Sequence, residues 1–344
     1  AMFGLELMQM AQLHREVEDA IADPDGPIEA IGGAARRRYL EAALDHGNPS
    51  QPLQRLLERL LDGRTGSSPG QGDGAARRPI VRKQKEPPPP RRRLRVYALD
   101  PSIAKSLDSV SVNETTLALP WDGELERGPV GEYLEVIDID PASGRLYDPV
   151  DLNDPMLLAQ DGWPPSEGNP GFHQQMVYAV GMTTIGHFEK ALGRKALWAP
   201  RYAPADRAGR QKAYAVPRLR IYPHALRTGN AYYSPEKKAL LFGYFPADSG
   251  AGDATSPGSM VFTCLSSDII AHEMSHALLD GLHRRFQEVS NLDVPAFHEA
   301  FADIVALFQH FTMKELVRFE IARARGTLSA ARLLGALARQ FGEG

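Results

Sequence analysis

The spacing of hydrophobic residues changes several times along the chain, and each change predicts a different kind of element. In residues 2–61 apolar side chains recur at helical spacing, as at Leu53, Leu56 and Leu57, which predicts a helical N-terminal region. Residues 62–93 are instead dominated by glycine, serine, proline and arginine. Such a segment buries too little apolar surface to offset the entropy lost on ordering, so we interpret it as a linker.

From residue 94 to residue 260 the pattern favours β-strands. Apolar and polar side chains alternate through residues 132–140, and a turn sequence then leads into a short stretch at 145–147, which predicts a hairpin. A second hairpin is predicted over residues 230–245, where two apolar runs flank the sequence Ser-Pro-Glu-Lys-Lys. This region should therefore form a mainly β subdomain.

Two parts of the chain depart from the strand pattern. Residues 171–193 place Phe172, Met176 and Val180 along one side of a predicted helix. Residues 261–344 are helical in pattern nearly throughout. We therefore expect an α+β fold, in which a mixed sheet with one helix precedes a helical subdomain.

Composition and charge indicate which partners the protein does not bind and where in the cell it is located. A net charge of -4 gives no electrostatic basis for binding nucleic acid or an anionic membrane surface. No stretch approaches the roughly 18 consecutive apolar residues of a membrane-spanning helix. The N-terminal sequence also lacks the pattern of a secretory signal, so we expect a cytoplasmic protein that uses neither nucleic acid nor a membrane as partner.

Several residues that could carry chemistry are explained by structural roles. The single cysteine, Cys264, excludes an intrachain disulfide and lies in an apolar stretch, so we interpret it as a buried structural thiol. His173 and His187 have no ligand partner four residues away, and we interpret both as packing or surface histidines. Five aspartates lack the spacing of a calcium loop and suit turns and helix caps: Asp138, Asp140, Asp148, Asp151 and Asp154.

The strongest chemical signal is the sequence His-Glu-Met-Ser-His at 272–276. It lies in an apolar stretch that begins with helix-capping residues, so it should form a helix. Residues four apart project from one face of a helix, so His272 and His276 can bind one tetrahedral Zn²⁺. Glu273 lies about 100° further round the helix, where it could act as general base toward a metal-bound water.

A catalytic zinc needs a third protein ligand, and the next predicted helix offers Glu299. Asp303 lies one turn further on the same face, where it could accept a hydrogen bond from a ligand histidine and fix its orientation. Two acids on an otherwise apolar helix would be costly to bury without a cation. His298 is the alternative third ligand, although it would leave Asp303 a poorer partner. The metzincin pattern fails, because its glycine and third histidine are replaced by Leu279 and Leu282.

These motifs resemble those of the thermolysin-like zinc metallopeptidases, the gluzincins. The resemblance rests on His-Glu-x-x-His at 272–276, on Asp280, and on Glu-Ala-Phe-Ala-Asp at 299–303. It covers residues 170–310 and is most specific at the two predicted metal helices. The fold that it implies is gluzincin-like, with a mixed sheet followed by a zinc-binding helical lobe.

The resemblance also implies a function and a role for each site residue. By this resemblance His272, His276 and Glu299 are the zinc ligands. Glu273 is the catalytic base, and Asp303 is the hydrogen-bond partner of a ligand histidine. The implied activity is that of a zinc-dependent endopeptidase, which hydrolyses peptide bonds through a metal-activated water.

A second, shorter motif concerns the substrate. The sequence Asn-Ala-Tyr-Tyr at 230–233 resembles the family's edge strand, which pairs with the backbone of an extended peptide. This implies that Asn230 and Ala231 contact a peptide or protein substrate.

The resemblance is incomplete at one point. In the family, a histidine and a tyrosine of the helical lobe stabilise the oxyanion. Here no tyrosine lies between His276 and Glu299, and His310 is the single histidine after Asp303. We therefore expect a second chain, or a segment beyond Gly344, to complete the site. The alternative is a zinc-binding pseudopeptidase or interaction module.

Overall fold

The computed structural model describes residues 90–99, 101, 113–202, 211–247 and 258–325, apart from 284, 287 and 289. All of them belong to one compact unit that spans Gln84–Gly344. The helices predicted for residues 2–61, and nearly all of the linker predicted for 62–93, lie outside the described residues.

The described part of the chain is mixed α+β and contains eleven strands and five longer helices. The strands are β1 (Arg91–Tyr97), β2 (Glu114–Pro120), β3 (Leu134–Val136), β4 (Ile139–Asp140), β5 (Arg145–Leu146), β6 (Arg201–Tyr202), β7 (Ala213–Tyr214), β8 (Leu219–Leu226), β9 (Ala231–Ser234), β10 (Ala239–Pro246) and β11 (Met260–Phe262). The helices are α1 (Pro155–Ala159), α2 (Pro170–Leu192), α3 (Ser267–Leu282), α4 (Asp293–His310) and α5 (Lys314–Ala324). None of these helices is long and apolar enough to cross a membrane.

The main sheet has five strands and is mixed. β8 pairs in parallel with β3 on one side and with β10 on the other. β9 and β11 both pair antiparallel with β10, so β9 has a single strand neighbour in the described sheet. Strands β8 and β10 are buried along most of their length, as the apolar composition of interior parallel strands leads one to expect.

Helix α2 lies at the centre of the core, where it packs against β1, β3 and α3. It begins at the N-cap Asn169, whose side chain accepts a hydrogen bond from the first turn, and it ends at Gly193 in the left-handed conformation. A β-carbon at Gly181 would lie 2.9 Å from Met274 Cε and 3.0 Å from Leu134 Cδ1. Glycine at this position therefore allows α2 to approach both α3 and the sheet.

Helices α3 and α4 carry the predicted metal ligands and pack against each other. The buried face of α3 includes Ile270, Met274 and Leu278. On α4 the buried positions include Ala302 and Ala306, whose small side chains let the two helices come close together. This packing holds the two ligand-bearing helices at a constant separation.

Several elements predicted from the sequence are confirmed, and two boundaries are wrong. The helix over 171–193 and both hairpins, β4–β5 and β9–β10, are present. The alternating stretch 132–140 is not one strand, because it divides into β3, in the main sheet, and β4, in a separate hairpin. A short strand, β11 (Met260–Phe262), also extends into residues 261–344, which were predicted to be helical.

Strand β1 begins at Arg91, whereas the linker was predicted to continue to residue 93. The cause is Arg92, whose guanidinium lies 4.2 Å from the centre of the Trp121 ring and donates a hydrogen bond of 2.6 Å to Asn153 Oδ1. Three consecutive arginines suggest solvated linker by composition. The middle one instead contacts partners distant in sequence, which composition cannot reveal.

Candidate metal centre

The two motif histidines lie one turn apart on α3. The rings of His272 and His276 stand edge to face, with their centroids 4.7 Å apart. Because the opposite face of α3 is packed in the core, both rings project into a cleft, where 19% and 14% of their side-chain surfaces remain exposed.

Three possible ligand atoms converge beside these rings. His272 Nε2 lies 3.0 Å from His276 Nε2 and 3.2 Å from Glu299 Oε2. His276 Nε2 lies 3.6 Å from Glu299 Oε1. Thus the structure brings together the three residues that the sequence motif predicted as ligands, from two different helices, in a group that could hold a metal ion.

Asp303 determines which nitrogen of His272 is available. Its Oδ1 atom lies 2.9 Å from His272 Nδ1. A carboxylate only accepts hydrogen bonds, so Nδ1 carries the hydrogen, and the neutral ring keeps its lone pair on Nε2. The lone pair therefore faces His276 and Glu299, which is the orientation that a metal ligand needs.

The charge state of His276 suits the same role. Its pKa is lowered to about 4, first because burial disfavours the imidazolium and also because two imidazolium charges on His276 and His272 would repel each other. His276 is therefore neutral at pH 7. Two imidazole lone pairs and the carboxylate of Glu299 then converge on one point, an arrangement that a cation stabilises.

Glu273 differs from its neighbours in being buried, with 8% of its surface exposed. Burial raises its pKa to about 8, the negative charge of Glu299 adds to the increase, and a hydrogen bond from the Tyr233 backbone opposes it. That bond joins Tyr233 N to Glu273 Oε2 over 2.7 Å. A carboxyl group with such a pKa can both accept and return a proton near neutral pH.

Strand β9 borders the cleft and has an open edge. The N–H group of Tyr233 points away from β10, because it donates to Glu273. Alternate residues of a strand direct their backbone groups to the same side, so the backbone of Ala231 also faces away from β10. Asn230 is exposed, and its Oδ1 atom accepts a hydrogen bond of 2.9 Å from the Ala231 N–H.

A buried network connects this strand to α3. Asp280 accepts hydrogen bonds from the Tyr233 hydroxyl at 2.6 Å and from Lys238 Nζ at 2.7 Å. Asp280 was part of the sequence motif. Nothing in the sequence marked Lys238 as a residue of the site, because it occupies a hairpin turn where lysine is common. Its φ of 50° and its burial become apparent only in the folded chain.

Two cavities extend from the ligand cluster toward opposite ends of α3, and both are lined by Ala231, His272 and Glu273. The first has a volume of about 300 Å³ and is also lined by Ile269 and Asp303. The second has a volume of about 370 Å³ and extends past His276. Together they form a cleft along the open edge of β9.

His298, the alternative third ligand, lies apart from the group. Its ring is parallel to that of His276, but the centroids are 6.1 Å apart. Its Nε2 atom lies 2.6 Å from the carbonyl oxygen of Phe286, so this nitrogen carries a hydrogen and donates it. The carboxylate of Glu299 therefore fits the third ligand position better than His298 does.

The structure also brings together a group of residues whose proximity the sequence did not reveal. Cys264 is buried as predicted, but it lies with His173 and His224 in a second group that could hold a metal ion. Asp138, assigned to turns, is also buried and contacts His224. These residues are far apart in the sequence and form no motif, so spacing could not have revealed them.

Comparison with known proteins adds no assignment to either group. No model of a protein family matches this chain, and a search of curated proteins returns no match. The chemistry of the site must therefore be argued from its residues.

Proposed function

We propose that this protein is a zinc-dependent endopeptidase with a gluzincin-like fold. The observation that supports it most is the convergence of His272, His276 and Glu299 beside the buried acid Glu273. An open strand edge along the same cleft adds a place for a peptide backbone. No single one of these features is specific to a peptidase, but together they provide the metal ligands, the base and the substrate platform of one.

The donor set fits zinc. Two neutral imidazoles and one carboxylate are a ligand combination of catalytic zinc sites, which leave a coordination position open. His272, His276 and Glu299 would hold the ion, and the 65% exposure of the Glu299 side chain keeps that side of the site open to solvent. When bound, zinc would supply Lewis-acid polarisation of a carbonyl and acidify a water molecule.

In this proposal Glu273 is the general base. Its carboxylate removes a proton from the attacking water and passes it to the amine that leaves when the peptide bond breaks. The backbone N–H of Tyr233 holds Oε2 in position for this transfer. Asp280 and Lys238 affect Glu273 indirectly, because they hold Tyr233 and the strand that carries it in place.

The substrate in this proposal is an extended peptide that adds to the edge of β9. Ala231 offers its outward-facing carbonyl oxygen, and Asn230 holds the Ala231 N–H through its side chain. Main-chain pairing of this kind is independent of side-chain identity, so it supplies affinity, while the adjoining cavities select side chains.

Stabilisation of the oxyanion requires a further group. Within the described residues His310 is buried against Asp268, and His298 donates to a backbone carbonyl, so neither is free to turn toward a substrate. One such donor contributes roughly 3 kcal/mol to catalysis. We therefore propose that a second chain, or a segment of this protein outside the described residues, provides it.

The proposal is tested by Glu273→Gln. Because glutamine cannot accept the water's proton, we expect hydrolysis of a broad peptide library to fall by about 10²-fold or more, with the zinc content unchanged. The matched control is Glu315→Gln, which removes the same charge from an exposed position on α5. Cleavage that persists at the wild-type rate in Glu273→Gln would overturn the mechanism.

A second candidate function is a zinc-binding pseudopeptidase or interaction module. It is favoured by the engagement of His298 and Tyr233, which line the cleft but already donate hydrogen bonds to the Phe286 carbonyl and to Asp280. Full-length protein that binds one zinc in this cleft and binds peptides, yet cleaves no member of the library, would support this candidate over the peptidase.

A further inference from the structure

The second group, which we call the buried cluster, consists of His173, His224 and Cys264. His173 lies on α2, His224 on β8, and Cys264 in the 3-10 turn Thr263–Leu265 that leads into α3. None of the three residues is more than 2% exposed. One ligand-type atom from each lies within 4.8 Å of those of the other two.

The outer nitrogens of both rings have hydrogen-bond acceptors. His224 Nδ1 lies 2.6 Å from Asp138 Oδ1, and His173 Nε2 lies 3.1 Å from the carbonyl oxygen of Glu167. The carboxylate of Asp138 is itself held by Gln174 Nε2 at 2.9 Å. Histidines that bind metals are commonly oriented in this way, with the other ring nitrogen donating to a carboxylate or a backbone carbonyl.

The inner nitrogens then face each other without a hydrogen between them. His173 Nδ1 and His224 Nε2 are 2.8 Å apart. A neutral imidazole carries one hydrogen, and in each ring that hydrogen is needed at the outer nitrogen. With both hydrogens on the outer nitrogens, two lone pairs meet in a buried place, an arrangement that one additional proton or a metal ion between them would stabilise.

The neighbouring thiol distinguishes these two possibilities. A proton shared by two imidazoles needs no third group, whereas a metal ion gains a ligand from Cys264. From these observations we infer that His173, His224 and Cys264 form a structural metal site for Zn²⁺ or an ion of similar softness. Two imidazoles and a thiolate suit Zn²⁺ and Co²⁺ better than Mg²⁺ or Ca²⁺.

The geometry needs little adjustment to accept such an ion. Zinc–nitrogen bonds at a tetrahedral angle separate two ligand nitrogens by about 3.3 Å. The two inner nitrogens are 2.8 Å apart, so a movement of roughly half an ångström opens the site. The cluster would supply three protein ligands, and the Cys264 proton would be released as the thiolate binds.

Burial gives this site a structural role, not a catalytic one. Aromatic rings enclose it, with the centroids of Tyr147 and Phe262 lying 5.0 Å and 5.6 Å from that of His224. No substrate can reach the ion, and the ion itself must enter as the chain folds. It would join α2, β8 and the start of α3, three elements that position the cleft.

Cobalt provides the decisive measurement, because Cys264 is the only cysteine of the chain. The full chain is produced in medium supplied with Co²⁺, so that the ion is present during folding. A thiolate ligand gives Co²⁺ a strong near-ultraviolet charge-transfer band, which the nitrogen and oxygen ligands of the cleft cannot produce. We expect this band in the wild-type protein, together with two bound cobalt ions per chain.

Two variants assign the signals. Cys264→Ser should lose the charge-transfer band and keep the cobalt of the cleft. The double variant His272→Ala/His276→Ala should lose the cleft cobalt and keep the band. A folded wild-type protein without the thiolate band, whether or not the cleft holds cobalt, would overturn the inference and would assign a shared proton to the buried pair. Because the band reports on Cys264 alone, this result is independent of the proposed peptidase function.

Discussion

The cleft cluster (His272, His276 and Glu299) and the buried cluster differ in exposure more than in chemistry. Each contains two histidines and one further possible ligand. Each also has a histidine whose Nδ1 atom contacts an aspartate, His272 with Asp303 at 2.9 Å and His224 with Asp138 at 2.6 Å. The aspartate side chains are 58% and 2% exposed respectively.

This difference determines what each cluster can do. In the cleft, solvent reaches the site and an open coordination position is possible, so the same ligands can serve chemistry. In the core, the ligand side chains are enclosed by other residues, and the outer nitrogens of both rings already have hydrogen-bond acceptors. An ion there can therefore only stabilise the fold. The same histidine–aspartate pair thus orients a ligand in one place and holds structural elements together in the other.

The largest expected effect comes from removing the two aspartates in turn, in protein unfolded and refolded in the presence of a chelator so that neither cluster holds a metal ion. Asp138→Ala leaves a buried imidazole without its acceptor, and we expect a loss of about 3–5 kcal/mol in the free energy of unfolding. Asp303→Ala breaks an exposed contact, which contributes about 1 kcal/mol at most. Urea unfolding of both variants measures the difference, and equal losses would contradict the comparison.

A smaller effect is expected on the affinity of the cleft for zinc. Asp303→Ala removes the acceptor that orients His272, so the dissociation constant should rise by about 10- to 100-fold. Competition with a chromophoric chelator measures it. Asp293→Ala is the control, because it removes the same charge from an exposed position in the first turn of the same helix. An unchanged affinity in Asp303→Ala would show that this aspartate does not support the ligand.

The third effect concerns pH and the buried acid of the cleft, and it is the smallest for a change of one pH unit. Burial raises the pKa of Glu273 from 4.5 to about 8. Between these pH values the folded state therefore binds a proton that the unfolded state has released. The contribution of Glu273 to the free energy of unfolding is fully present below about pH 4.5, and it is lost as the pH rises toward 8. In metal-free protein we expect the free energy of unfolding to fall by up to about 1.4 kcal/mol per pH unit in this range because of Glu273.

Urea unfolding at a series of pH values tests this contribution. Glu273→Gln should flatten the curve between pH 4.5 and 8, because glutamine does not titrate there. Added zinc should also flatten it, since a nearby cation favours the carboxylate. A curve identical in wild type and variant would show that Glu273 is not buried in the metal-free protein.

Much of the cleft could be predicted from the sequence because its parts are local. His272, Glu273 and His276 lie within two turns of one helix, and Glu299 and Asp303 within two turns of another. Helical geometry alone determines which of these side chains share a face. The helix α2 and both hairpins were predictable for the same reason, since periodicity and turn chemistry act over a few residues.

Predictions failed where the partner of a residue lies far along the chain. The stretch 132–140 alternates throughout, yet pairing with β8 includes only Leu134–Val136. Arg92 lies in an arginine-rich stretch whose composition is typical of a linker. In the structure it contacts Trp121 and Asn153 and belongs to a strand. Lys238 became part of the site through Asp280, a residue that its hairpin meets only after folding.

The sequence by itself determined the candidate ligands of the cleft, the order of strands and helices around them, and the presence of one thiol. The tertiary structure alone decided that Glu273 is buried, that the edge of β9 borders the cleft, and that a second cluster exists. His173 and His224 are separated by 51 residues, and Asp138 and His224 by 86. The physical reason is that helical spacing is set by the backbone over a few residues, whereas burial and contact arise from packing between elements distant in sequence.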